Sequence, residues 1–151
     1  MDNLPGYISC KIAAISDVSK CIINSNSQRV SMSFIQGFSM LQLDHDETTL
    51  TFSCPPDREN GLVLYEHQVS IFIPSFNMSE TIRQYLTKCS IEGCILQLTD
   101  SENIKWISGS LDVPLRLDIT DDEGEAGSGN KGVAISASGK LTHSRLKFFE
   151  L

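Results

Sequence analysis

The segment that decides the fold reads PLRLDITDDEGEAGSGNKGVAISASGKL and spans residues 114–141. Apolar and polar residues alternate at both of its ends, with apolar positions at Leu115, Leu117 and Ile119 and again at Val133, Ile135 and Ala137. Because successive side chains of a β-strand point to opposite faces of the sheet, each end predicts a strand with one buried face. The segment therefore predicts two half-buried strands joined by a loop.

The loop between these strands, residues 121–131, has the sequence DDEGEAGSGNK. It is poor in apolar residues, and we expect it to be mobile in the isolated monomer. Its carboxylates lack the spacing of an EF-hand loop, so a solvated charge run is favoured over a calcium site. Its glycines lie among acids that repel phosphate, and no helical pattern follows them. A phosphate-binding loop is therefore not predicted.

Strand patterns of the same kind occur in the first two thirds of the chain. Residues 29–34 and 48–54 alternate apolar and polar positions, and residues 94–98 and 105–107 flank a turn-like segment and predict a hairpin. The longest alternating run spans residues 61–73. A regular strand of that length predicts one that bends or crosses between sheets.

One helix is predicted, over about residues 78–90. Asn77 is its predicted N-cap, with Glu80 three residues later in the manner of a capping box. The apolar stripe that should pack on a sheet consists of Met78, Ile82, Tyr85, Leu86 and Cys89. We count about eight or nine strands in all. The predicted class is mainly β, an antiparallel β-sandwich or partly open β-barrel with one flanking helix, formed by residues 1–151 as a single domain.

Charge and length limit the partners of the chain. With 12 Lys and Arg against 19 Asp and Glu, its formal net charge is −7, which opposes binding to a polyphosphate backbone. The first residues, MDNLPGY, lack the basic and apolar regions of a signal peptide. No stretch approaches the roughly 20 apolar residues of a membrane span. We therefore expect a soluble, cytoplasmic protein that binds neither nucleic acid directly nor a membrane.

Catalytic and metal-binding motifs are not found in the sequence. The cysteines are odd in number and form no CxxC pair, so we expect reduced, mostly buried thiols at Cys10, Cys21, Cys54, Cys89 and Cys94. His67 lies on the apolar face of the run 61–73. There it could act as a base or ligand, but a hydrogen bond to the backbone is the favoured interpretation. We predict no catalytic residue, no metal ligand and no cofactor.

Two further residue groups are interpreted as structural. Residues 44–47, Asp-His-Asp-Glu, place acids beside an imidazole, but neighbouring residues of a strand point apart and cannot converge on one ion. A solvated turn is favoured for them. Trp106, the single tryptophan, could anchor a core or an interface, and its apolar neighbours favour the core.

The end of the chain resembles a group of small uncharacterised proteins encoded in prophage-like regions of bacterial genomes. The resemblance rests on PLRL at residues 114–117, AGSGNKG at 126–132 and ISASGKLTH at 135–143, where a strand, a Gly-rich loop and a Ser-Gly-Lys-x-Thr-His ending recur. It covers residues 109–151, and earlier elements match in order alone. That order is also similar to phage tail-tube and tail-associated proteins, which are β-sandwiches or barrels that stack as rings.

This resemblance implies a non-enzymatic structural or assembly protein of a phage-like particle. Its partners would be copies of itself or other particle proteins, and it would be cytoplasmic or incorporated in the particle. The loop would order against a neighbouring subunit, through Asp121, Asp122, Glu123, Glu125, Asn130 and Lys131.

Two alternatives remain open. The first is a β-sandwich module that binds carbohydrate or peptide through exposed rings, for which the candidates are Tyr7, Tyr65, Phe72 and Trp106. The second is an enzyme with a polar cleft that contains His67 or paired acids. The sequence does not decide between these alternatives and an assembly role, because a fold of this kind is compatible with all three.

Overall fold

The computed structural model describes residues 6–24, 26–43, 50–59, 61–122 and 131–150. Over these ranges the chain forms twelve strands and one α-helix, α1, which spans Glu80–Glu92. The strands are β1 (Tyr7–Ala14), β2 (Val18–Asn24), β3 (Arg29–Phe34), β4 (Leu41–Leu43), β5 (Thr51–Ser53), β6 (Pro56–Glu59), β7 (Leu62–Pro74), β8 (Cys94–Asp100), β9 (Lys105–Ser108), β10 (Arg116–Asp122), β11 (Gly132–Leu141) and β12 (Leu146–Glu150). Within the same ranges, none of the helical structure is long and apolar enough to span a membrane.

The strands form two sheets. The larger has seven strands in the order β2-β3-β12-β9-β8-β1-β4, and the smaller has the order β10-β11-β7-β5, with β6 also paired to β7. All pairs are antiparallel except β12 with β3. The predicted class, a β-rich sandwich-like fold with a flanking helix, is confirmed. The predicted strand count of eight or nine is too low.

Strand β6 shows one reason for the missing strands. It lies just after the alternating run 48–54, at a place where no strand was predicted, and its first residue, Pro56, pairs with Tyr65. Proline is tolerated at the first residue of a strand, where no ladder hydrogen bond from its nitrogen is required. For the long strand β7, the alternative of a strand that crosses between sheets is wrong. It stays in the smaller sheet along its whole length, with β11 on one side and β5 and β6 in succession on the other.

The larger sheet is apolar on both faces. Residues such as Ile12 and Leu98 face the smaller sheet and form the first core with Ile73 and Leu115. The second core lies on the opposite face and is built from Ala13, Val18, Val30, Met32, Ile95, Ile107, Leu146 and Phe148. Burial of each large apolar side chain contributes about 1.5–3 kcal/mol. Successive residues of strand β8 enter different cores, so almost the whole strand is buried.

Helix α1 begins two residues later than predicted. The segment Ser75–Asn77 forms a 3₁₀ turn, and Ser79 is the N-cap, its hydroxyl accepting the Ile82 N–H at 3.2 Å. Asn77 is therefore not the cap, because the 3₁₀ turn occupies its position. The predicted apolar stripe is confirmed: Leu86 and Cys89 are buried, and Met78, Ile82 and Tyr85 pack against the first core.

A polar contact fixes the helix to the larger sheet. The hydroxyl of Tyr85 donates to Asp17 Oδ2 at 2.6 Å and accepts the N–H of Ala14 at 2.8 Å. Lys88 Nζ donates to the same carboxylate at 3.2 Å. Burial and the hydrogen bond to Asp17 raise the pKa of Tyr85. Asp17 is itself buried, and its two partners satisfy a charge that would otherwise be costly.

Candidate functional site

The hairpin that carries the acidic segment consists of β10 and β11, whose antiparallel register runs from Arg116 opposite Ser138 to Asp122 opposite Gly132. Asp121 and Asp122, which we assigned to the loop, therefore end strand β10, because they pair with the start of β11. At Gly132 a Cβ atom would lie 2.4 Å from the carbonyl oxygen of Ile73. The absence of a side chain there lets β11 approach β7 closely at the base of the hairpin.

Two contacts hold the base of this hairpin against the start of the helix. Arg83 Nη1 donates to Asp121 Oδ1 at 3.0 Å, and the Ser75 N–H donates to the carbonyl oxygen of Lys131 at 2.9 Å. The Arg83 and Asp121 side chains are 44% and 61% exposed, so their ion pair contributes at most about 1 kcal/mol. The two contacts fix the direction of the hairpin more than they stabilise the fold.

A prominent apolar side chain lies at the same place. Phe76 is 86% exposed, the largest fraction among the exposed large hydrophobic residues of the described ranges. Ser75, the chain neighbour of Phe76, lines a cleft of about 220 Å³ together with residues that include Arg83, Asp121 and Lys131. We call the set Ser75, Phe76, Arg83, Asp121 and Lys131 the loop-base surface.

The other predicted contact residues cannot be placed on this surface. Glu123, Glu125 and Asn130 lie outside the described residues. The predicted mobility of the loop concerns the same part of the chain. The Asp-His-Asp-Glu turn at residues 44–47 lies outside them as well. Among the residues that the structure does describe, no group of three or more His, Cys, Asp or Glu side chains could hold a metal ion.

His67 lies in the first core and is fully buried. Its Nε2 is 2.9 Å from the carbonyl oxygen of His143. Since a carbonyl only accepts, Nε2 carries the proton, and Nδ1 accepts from the Ser108 hydroxyl at 2.7 Å. Burial lowers the pKa of His67 from 6.5, which keeps the ring neutral. The favoured interpretation, a hydrogen bond from a buried histidine to the backbone, is confirmed.

The cysteines are free thiols, and Cys10, Cys89 and Cys94 are buried. Burial raises the pKa of Cys10 and of Cys89 to about 12 and also raises the pKa of Cys94. Because the thiolate is the reactive form of cysteine, these side chains behave as small apolar groups in the core.

The four candidate rings for a carbohydrate-binding face do not form one exposed face. Tyr7 is buried, and the guanidinium of Arg145 covers the Trp106 ring at 3.7 Å and donates to the Tyr7 hydroxyl. Tyr65 and Phe72 are both in β7 but at positions of opposite parity, so their side chains point to different faces of the sheet. Trp106 packs against the first core, as predicted.

Sequence reasoning missed Phe76 and Arg83, two members of the loop-base surface. The available signal was that Phe76 falls outside the apolar stripe of the helix that follows it, so a packed helix would leave it without a core position. Arg83 lies on the exposed side of the same helix, and only the structure shows that its side chain contacts Asp121.

Comparisons with known proteins add no assignment. No protein-family model matches the sequence, and searches of curated proteins and of solved structures gave no match.

Proposed function

We propose that the chain is a non-enzymatic structural or assembly protein of a phage-like particle, tail-associated, that acts by subunit contacts through the loop-base surface. One observation carries the proposal. The hairpin that bears the acidic segment is anchored by Arg83 and Ser75 beside Phe76, which is 86% exposed. An exposed aromatic side chain next to fixed charges is the arrangement of an interface anchor with a polar rim.

The edge of the smaller sheet supports the same proposal. Strand β10 pairs with β11 and has no second partner strand within the described ranges, although Leu115, directly before it, is bridged to Cys94 of β8. The unpaired edge of such a strand is a template for a strand of another chain. Its outward side chains include Arg116 and Asp118, and Arg116 Nε lies 3.5 Å from Asp118 Oδ1. These charges oppose pairing with an arbitrary strand, so a second copy with matching charges is the partner we propose.

The charge of the chain fits a particle through which DNA passes. A net charge of −7 would keep the surface from adhering to a phosphate backbone. The resemblance of residues 109–151 to prophage-encoded proteins supports the same class. Before assembly the protein would be cytoplasmic, and afterwards it would be part of the particle.

The test measures oligomeric state with two matched variants. Phe76→Ser and Ile91→Ser each remove one exposed apolar side chain of the helical region, 86% and 79% exposed. We expect light scattering after size exclusion, together with negative-stain microscopy, to show concentration-dependent assembly of the unmodified chain. Phe76→Ser should weaken assembly at least about tenfold, which corresponds to 1.4 kcal/mol, and Ile91→Ser should leave it unchanged.

Two results would contradict the proposal. One is a chain that stays monomeric at every concentration, alone and mixed with the products of neighbouring genes. The other is an equal effect of the two substitutions, which would show that the loop-base surface is not the contact.

A further inference from the structure

A second site lies far from the hairpin, on the face of the larger sheet that carries the second core. It is a cavity of about 540 Å³ between strands β1, β3, β8, β9 and β12 and the segment 35–40. Its apolar wall consists of Met32, Phe34, Phe38, Met40 and Phe148. The volume falls within the range of about 300–1,000 Å³ that is typical of small-molecule sites.

Three polar side chains converge on this cavity. Gln97 in β8 lies directly opposite Lys11 in β1, and its neighbour on the other side is Ile107 in β9. Lys105 is two residues from Ile107 and therefore points to the same face. Directly opposed Cβ atoms lie about 4.5–5.5 Å apart and diagonal ones about 7–8 Å. An amide and two ammonium groups thus line one side of the cavity.

Gln97 is unusual because it is only 4% exposed and its side chain makes no hydrogen bond to any residue that the structure describes. A buried polar group without a partner costs about 1–3 kcal/mol. Most buried polar side chains in proteins are hydrogen-bonded. The amide therefore indicates a partner that is not part of the described chain.

The local charge identifies the sign of that partner. The whole chain carries a net charge of −7, yet the described residues that line the cavity include Lys11 and Lys105 and no Asp or Glu. Neither ammonium forms an ion pair with a described residue. Two such cations beside a buried amide donor form a binding site for an anion.

We propose that this cavity binds a small organic carboxylate with an apolar body. The carboxylate lies between Lys11 and Lys105 and accepts a hydrogen bond from the amide of Gln97, and the apolar body packs on Phe34, Phe38 and their neighbours. Water alone could satisfy the amide, but it would make no use of the paired lysines or of the aromatic wall. This site is independent of the proposed assembly.

Calorimetric titration of the full chain with sodium decanoate tests the proposal, with decyltrimethylammonium as the matched cation. We expect decanoate to bind one per chain, more weakly as salt is added, and the cation not to bind. The double variant with Lys11→Gln and Lys105→Gln should lose at least about tenfold in affinity. Lys147→Gln is the control, since Lys147 alternates with Phe148 and points to the other face of β12.

Gln97→Leu separates the carboxylate site from a general apolar surface. It should lower decanoate affinity about fivefold, because the amide hydrogen bond is lost while the apolar wall is kept. Circular dichroism checks that each variant is folded. The proposal is overturned if decanoate does not bind, if the cation binds equally well, or if Lys147→Gln weakens binding as much as the double variant does.

Discussion

Two buried polar residues, His67 and Gln97, occupy opposite sides of the β8–β9 hairpin and differ in their partners. His67 is 0% exposed and Gln97 is 4% exposed. Both ring nitrogens of His67 have partners, and one of these is Ser108 of β9. The side chain of Gln97, whose register partner in β9 is Ile107, has none among the described residues.

Burial alone therefore does not identify a site. The hydrogen bond between Ser108 and His67 is of the kind that joins a nucleophile to its base. Both residues are fully buried, however. A substrate cannot reach a group that has no exposed surface. Its network is complete, which is the property of a structural element. The Gln97 amide borders a cavity with two cations, and its incomplete network is the property of a site that binds something else.

Replacing His67, whose hydrogen-bond network is complete, should cause the greatest loss of stability. His67→Leu keeps most of the side-chain volume but leaves the Ser108 hydroxyl and the His143 carbonyl without the ring. Each orphaned group costs about 1–3 kcal/mol. We expect the free energy of unfolding, measured by urea denaturation, to fall by about 3–4 kcal/mol.

A second substitution tests whether the Ser108 hydroxyl is one of the groups left without a partner. Adding Ser108→Ala to His67→Leu removes the unpaired hydroxyl, so the double variant should be about 1 kcal/mol more stable than His67→Leu alone. A loss below about 1 kcal/mol for His67→Leu, or no recovery in the double variant, would show that the network contributes little.

The pH dependence of stability tests the same network through proton binding. Burial lowers the pKa of His67 below 6.5 in the folded chain, so below pH 6.5 the unfolded chain binds a proton that the folded chain excludes. The contribution of the neutral ring is therefore complete above pH 6.5 and is lost as pH falls. The stability difference between the unmodified chain and His67→Leu should shrink by up to about 1.4 kcal/mol per pH unit.

Urea denaturation at intervals between pH 4.5 and 7.5 measures this slope, and the comparison with His67→Leu cancels the titration of groups that do not contact the His67 ring. A difference that does not change with pH would mean that the ring is protonated equally in both states. In that event burial would not lower the pKa of His67, and the folded chain would take up the proton as readily as the unfolded chain.

Much of the fold could be predicted from local sequence. The alternation at Leu115, Leu117 and Ile119 gave strand β10, and the apolar stripe ending at Cys89 gave the helix, because both patterns depend on neighbouring residues alone. Strand β6 could not be predicted in that way, since its existence depends on pairing with β7. The 3₁₀ turn that moves the cap from Asn77 to Ser79 depends on how β7 ends.

The candidate sites were less accessible to sequence reasoning. The acidic segment was visible from composition, but Arg83 contacts Asp121 only through the packing of α1 on β10. Phe76 lies near the same segment because its chain neighbour Ser75 is hydrogen-bonded to Lys131. Gln97 lies within the apolar run 94–98, where it looked like the polar position of an ordinary strand. Gln97 lies opposite Lys11 because of the register between β8 and β1, two strands that are far apart in the chain. Periodicity cannot supply such a register.

Replacing Gln97, whose hydrogen-bond network is incomplete, should change stability less. Gln97→Leu replaces a buried amide without a described partner by an apolar side chain of similar size, which removes an unsatisfied group. We expect the unligated protein to gain about 1 kcal/mol in urea denaturation. Gln42→Leu is the control, because Gln42 is exposed and lies opposite Lys11 in β4, and its effect should stay within about 0.5 kcal/mol. A loss of stability at Gln97 comparable to that at His67 would show that its amide has a structural partner, and the contrast between the two residues would then disappear.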